Sequence, residues 1–253
     1  MVTLTRFAGV LTGFFAFGYL TKTLDQTNTG GVQSRCTNAF CATTTLFLSL
    51  ASLDLFAEMC NYSLYGVNDI LFYNSPRHFK FLEHQKAQAD TLGLYMFAYM
   101  TQDMVVRYIY RRLEFRYFIH HMACVVPVTL CFVADQTPIF LIAATISELS
   151  TPVVCLFEVG QREGGYAKKY IMPCGVLMNI LFPLRFLWFC YLTAAAFYEL
   201  CNSGVALAIN PDNISFSALI ILLLCNGSWW LQILLGTVKE IALMSKKKQK
   251  KTT

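Results

Sequence analysis

Residues 138–160 read PIFLIAATISELSTPVVCLFEVG, an apolar run whose only charges are Glu148 and Glu158. Wound as a helix at 1.5 Å per residue, it rises about 35 Å, enough to cross a hydrocarbon core roughly 30 Å thick. Glu148 falls about 15 Å along that rise, near the bilayer midplane. An ionisable side chain at that depth costs at least ~2.5–3.5 kcal/mol, so it is expected to face a bundle interior or an oppositely charged partner. The run therefore predicts one span among several, packed against a helix that carries a basic group at similar depth.

Working outward, six further runs have the same character: Leu4–Leu20, Phe40–Cys60, Thr91–Tyr110, Phe118–Val133, Ile171–Phe197 and Ile214–Leu235. Unsatisfied backbone cannot stand in lipid, and the alternating ten-residue strands of a porin are absent, so the spans are read as helices. The predicted fold is an all-α polytopic transmembrane bundle of about seven spans, or six if Leu4–Leu20 lies on the surface. That first run lacks a basic leader and a small-residue cleavage site, which argues against a signal peptide. Composition agrees: 56% of the 253 residues are hydrophobic and 14% charged, against about 25% charged in typical soluble domains. Three segments follow: an N-terminal span and loop (1–39), a helical membrane domain (40–240) and a Lys-rich tail (241–253).

Charge orients the chain. Arg107, Arg111, Arg112 and Arg116 follow the third span, and Arg162, Lys168 and Lys169 follow the fifth. The tail carries Lys246, Lys247, Lys248, Lys250 and Lys251. The segments around Asp135 and from Glu199 to Asp212 contain no Lys or Arg. The positive-inside rule then puts the C-terminus in the cytosol. It fits the N-terminal half less well, because Arg77, Lys80 and Lys86 fall on the expected outer side. The net charge of +5 is topogenic on this reading and calls for no nucleic acid. The closing Lys250-Lys251-Thr252-Thr253 looks like a dilysine signal for retrieval to the endoplasmic reticulum. That makes the endoplasmic reticulum membrane the expected location, with the mitochondrial inner membrane as alternative.

The ten cysteines show no metal-ligand or redox spacing, and most lie inside spans as small hydrophobes. Asn-x-Ser sequons occur at Asn61, Asn213 and Asn226. No metal or cofactor is expected. Chemistry is expected from polar residues within the spans. Arg185 lies about as deep in its span as Glu148, so the two are expected to face each other across a cavity. Asp103 stands one turn before Arg107, and His120 and His121 open the fourth span. Adjacent helical positions diverge by about 100°, so only one histidine is expected to face the interior squarely. Asp54 and Glu58 share a face of the second span towards its outer end.

Taken in order, Tyr99-Met-Thr-Gln-Asp103, His120-His121, Glu148-Leu-Ser-Thr-Pro152, Asn179 with Arg185, and Asn226 followed by Trp229-Trp230 resemble the TLC-domain family. That family includes the ceramide synthases and translocon-associated proteins, and the likeness is to its smaller members. The resemblance implies a bundle around a lipid-accessible cavity, with His120 and His121 as candidate catalytic residues. It also implies cavity or lipid-binding roles for Asp103, Glu148, Ser150, Thr151, Asn179, Arg185, Trp229 and Trp230. The chain departs from the ceramide synthases where their motif continues with paired aspartates, because a second carboxylate is missing beside Glu148. N-acyl transfer from acyl-CoA is therefore an alternative, not the leading reading.

Two classes of function follow. In the first, the protein binds, senses or modifies membrane lipids through the polar cavity. In the second, it is a non-catalytic subunit bracing a larger membrane assembly, respiratory if the chain is mitochondrial. A transporter, a third class, would need an internal repeat that the sequence does not display.

Overall fold

The structure, a computed structural model, describes residues 4–26, 35–60, 76–109, 114–134, 136–163, 169–202 and 211–252. Arg111, Arg112, Asp135, Lys168, Asn61 and Thr253 lie outside them, as does the side chain of Glu58. Among the described residues the fold is helical and contains no strand. The helices are α1 (Leu4–Gln26), α2 (Arg35–Cys60), α3 (Pro76–Ile109) and α4 (Phe115–Val133). They continue with α5 (Ile139–Thr145), a 3-10 segment (Ile146–Ser150), α6 (Thr151–Glu163), α7 (Ile171–Asn202) and α8 (Pro211–Thr252).

Among the described residues, five stretches are long and apolar enough to cross a membrane: Thr37–Ala57, Phe115–Val133, Ile139–Gln161, Ile171–Tyr198 and Ile214–Lys239. These correspond to five of the seven expected spans. Ala8–Leu20 forms a shorter apolar helix. The expected span at Thr91–Tyr110 lies in α3, which does not reach the same hydropathy. Packing supplies the reason: α1, α2, α4 and α5 all contact α3, and Ala89, Leu94, Met96, Ala98, Tyr99 and Met100 are buried along it. A helix enclosed by other helices presents little surface to lipid, so it can carry Asp90, Gln102 and Asp103, all buried, in place of apolar residues. Near the middle of α3, Asp90 accepts from Thr137 (2.9 Å) and pairs with Lys86 (3.2 Å).

The α1–α3 contact is close at Gly18, where an added Cβ would run into the Gln102 side chain. Small residues let membrane helices approach in this way. Gly18→Leu is therefore expected to overpack the contact and destabilise the fold by about 1–3 kcal/mol. The check is a lowered thermal midpoint in detergent, with Gly9→Leu unchanged, because a Cβ at Gly9 meets nothing within 4 Å.

The apolar run that carries Glu148 is not one continuous helix. Pro152 has no N–H, and its ring crowds the carbonyl one turn earlier. The backbone before it tightens into the 3-10 segment, where the Thr151 N–H bonds the Glu148 carbonyl. Three carbonyls around this break accept donors from neighbouring helices. Ser49 of α2 reaches Thr145 O at 2.9 Å, Trp188 of α7 reaches Ala143 O at 2.9 Å, and Arg185 of α7 reaches Ser147 O at 3.5 Å. Mid-helix 3-10 segments often mark functional positions, and this one carries Glu148.

Candidate functional site

A cavity of about 1240 Å³ opens within the bundle, walled by residues of α2, α3, α4, the 3-10 segment, α6, α7 and α8. Its inner end is polar and the rest mostly apolar. Along α8 it runs from Trp229 to Lys239, about 15 Å of helix. Met172, Val176 and Ile180, one turn apart on α7, line it and are each more than half exposed. The cavity is thus accessible along this row of α7.

At the inner end, Glu148 and Arg185 form a direct ion pair, Oε1 to Nη2 at 2.5 Å. Both are buried, at 8% and 5% exposed. The expectation that they face each other across a space is corrected: they touch, because the 3-10 backbone turns Glu148 towards α7. Thr151 donates to the other carboxylate oxygen at 2.5 Å, and Ser150 accepts from Arg185 Nη1 at 2.9 Å. Ser150 lies outside the cavity lining, behind the guanidinium.

A second cluster joins α3 to α4. Asp103 Oδ2 accepts from Arg107 Nε at 2.7 Å and lies 3.0 Å from His121 Nε2. His121 Nδ1 is 2.6 Å from the Tyr117 carbonyl, and the Arg107 guanidinium lies 4.6 Å over the Tyr117 ring. Both histidines line the cavity and both are buried, contrary to the expectation that one would turn away. The reason is the position of α4, which packs against α3 on one side and α8 on the other. The divergence between adjacent positions sends His121 to Asp103 of α3 and His120 to Trp229 of α8, with ring centroids 5.0 Å apart.

The histidines are not equivalent. Both ring nitrogens of His121 face acceptors within its own cluster. His120 Nε2 stands 3.8 Å from Glu148 Oε1, beyond hydrogen-bond length, and Nδ1 has no partner among the described residues. His120 is therefore the histidine whose hydrogen-bonding capacity is unspent, although its Nδ1 is itself enclosed by protein.

Thr151, Asn179 and Trp229 also line the cavity; Asn179 donates to Thr237 of α8 at 2.9 Å. Trp230 does not line it and packs on Phe186, centroids 5.4 Å apart. Consecutive tryptophans on a helix point about 100° apart, so one faces inwards and the other the α7 interface. Asn226 is fully buried in α8 and donates to Leu222 O. Asp54 is exposed on α2 and away from the cavity.

The structure adds Asn38, Cys41, Tyr99, Arg107, Tyr117 and Cys155 to the lining. Cys41 Sγ and Tyr99 Oη are 2.8 Å apart. Of these, Arg107 carried a sequence signal, one turn from Asp103, and Tyr99 opens the Tyr99–Asp103 stretch of the family resemblance. No group of three His, Cys, Asp or Glu residues suited to a metal occurs among the described residues.

The family model described as the TLC domain matches residues 55–235. The match takes in the whole inner polar end and leaves out Asn38, Cys41 and the last turn of the lining on α8. No curated protein and no solved structure matches the chain significantly.

Proposed function

Because the chain belongs to the TLC-domain family of membrane proteins, we propose that it binds a membrane lipid inside its cavity. The polar end of the lipid lies at His120 and the Glu148–Arg185 pair, and an acyl chain runs along the apolar wall towards Lys239. One observation carries the proposal: a buried charged and imidazole cluster at the closed end of a largely apolar cavity that is accessible along α7. The volume exceeds the roughly 300–1,000 Å³ of sites for drug-sized ligands, and the open wall gives a lipid a path from the bilayer. An open cavity also supports this reading over that of a subunit whose helices only fill space.

The topology that goes with it has the C-terminus in the cytosol. The end of the cavity at Gln161 and Lys239 then lies towards the cytosolic leaflet. The supporting pattern is the alternation of basic and non-basic loops.

The test is mass spectrometry of lipids that stay with the purified protein. The wild type is expected to retain a selective lipid, and His120→Ala to lower its amount about tenfold, the loss of roughly 1.4 kcal/mol of binding. An unselective detergent-belt mixture, the same in both proteins, would overturn the proposal.

A further inference from the structure

We infer that the cavity takes a lipid whose polar end carries one negative charge, a carboxylate or a phosphodiester, held by Arg107 and Tyr117. This rests on the lipid-binding reading and narrows its ligand class.

Two acceptors bracket the His121 ring. Nδ1 lies 2.6 Å from the Tyr117 carbonyl, and Nε2 lies 3.0 Å from Asp103 Oδ2. A carbonyl only accepts, so Nδ1 carries a proton. A second proton is shared between Nε2 and Asp103. Whichever of the two holds it, the His121–Asp103 pair sums to zero, and Asp103 has no charge left to cancel Arg107. Arg107 therefore brings one positive charge in excess. The neighbouring Glu148–Arg185 pair cancels within itself. Glu158 and Lys239, the remaining charged groups of the lining, add one of each sign, so the excess stands.

Arg107 is also the group with donors to spare. It spends Nε on Asp103 at 2.7 Å, and its guanidinium lies 4.6 Å over the Tyr117 ring. Its two Nη nitrogens and Tyr117 Oη have no hydrogen bond among the described residues, and none of the three is enclosed by protein. Both side chains line the cavity, and that of Arg107 is 16% exposed. A guanidinium fork matches the paired oxygens of a carboxylate or phosphate. An uncompensated cation is costly in a low-dielectric wall, and a monoanion offsets it. An ammonium would add to the excess, and a hydroxyl would leave it. Trp229 packs on both Tyr117 and His120, with centroids 5.7 and 5.0 Å apart. The free donors thus border the polar end placed at His120.

Photoactivatable single-chain probes of equal length, ending in carboxylate, methyl phosphate, hydroxyl or trimethylammonium, test this in phosphatidylcholine nanodiscs. The better of the two anionic probes is expected to label the wild type about tenfold more than the alcohol or the ammonium, with the adduct mapping to α6, α7 or α8. Equal or stronger labelling by the alcohol or the ammonium would overturn the anion inference and leave lipid binding standing. No labelling by any probe would overturn lipid binding itself, and this inference with it. Excess inorganic phosphate is expected to leave the labelling unchanged. Its loss would mean that the donors take a small free anion, which overturns their assignment to a lipid. Arg107→Gln removes the excess charge and is expected to bring the anionic probe down to the level of the alcohol. Arg107→Lys keeps the charge and is expected to keep the anionic probe ahead. A folded Arg107→Gln protein with the wild-type ranking would also overturn the inference. If that variant does not fold, the wild-type and Arg107→Lys rankings decide.

Discussion

Arg185→Ala is expected to destabilise the bundle by about 3–5 kcal/mol, because removing one partner of a buried ion pair strands the other. Glu148 and Arg185 meet at 2.5 Å, 8% and 5% exposed. Arg185 also holds Ser150 and reaches the Ser147 carbonyl, so its loss frees two polar groups of the 3-10 segment as well. Glu148→Ala is expected to be nearly as damaging, since it leaves the guanidinium without its acid. The informative comparison is the double replacement Glu148→Met with Arg185→Met. Exchanging a buried pair for apolar side chains of similar volume is often neutral or stabilising. The double variant is therefore expected to recover most of the lost thermal midpoint in detergent while losing selective lipid. A double variant as unstable as Arg185→Ala would mean that the hydrogen bonds to the 3-10 segment, and not charge balance, hold α7 in place.

That pair also indicates what could be read from residues alone. Equal depth in two apolar runs was enough to match Glu148 with Arg185, because each would be expensive alone in hydrocarbon. Depth does not reveal distance, and the direct contact is made from the 3-10 segment Ile146–Ser150. Pro152 was visible, but a proline can kink, end or tighten a helix, and only packing from α2 and α7 decides which. The five long apolar spans were legible because crossing hydrocarbon imposes a long, nearly uncharged run. The third was harder to delimit for the opposite reason: α3 is walled in by α1, α2, α4 and α5, so its composition reports protein contacts.

The histidine pair shows a similar limit. Helical geometry correctly separates the two directions, but the neighbours of α4 were not legible in sequence order. With α3 on one side and α8 on the other, both directions point to polar or aromatic partners. The tryptophan pair behaves differently, because one face of α8 meets the cavity and the next meets Phe186. Cys41 and Cys155 look like ordinary core residues in sequence and join the lining only through the approach of α2 and α6.

Filling the cavity is the second change expected to have a large effect, and it acts on binding without acting on the fold. Gly236 lines the cavity wall on α8, and a Cβ built there meets nothing within 4 Å. A side chain can therefore leave the backbone here without meeting a neighbour at its first carbon. Glycine is a poor helix former, disfavoured by about 0.8–1.0 kcal/mol against alanine, so replacing it does not weaken α8. Gly13 of α1 is the matched control, since it too has open space around a Cβ but does not line the cavity.

The measurement that tests the central claim most directly is lipid retention, by mass spectrometry, for wild type, Gly236→Phe and Gly13→Phe purified side by side. The account predicts at least a tenfold loss of the selective lipid in Gly236→Phe, with wild-type levels in Gly13→Phe and the same thermal midpoint in all three. Wild-type retention in a folded Gly236→Phe protein would contradict it, because the lipid would then be bound somewhere other than this cavity.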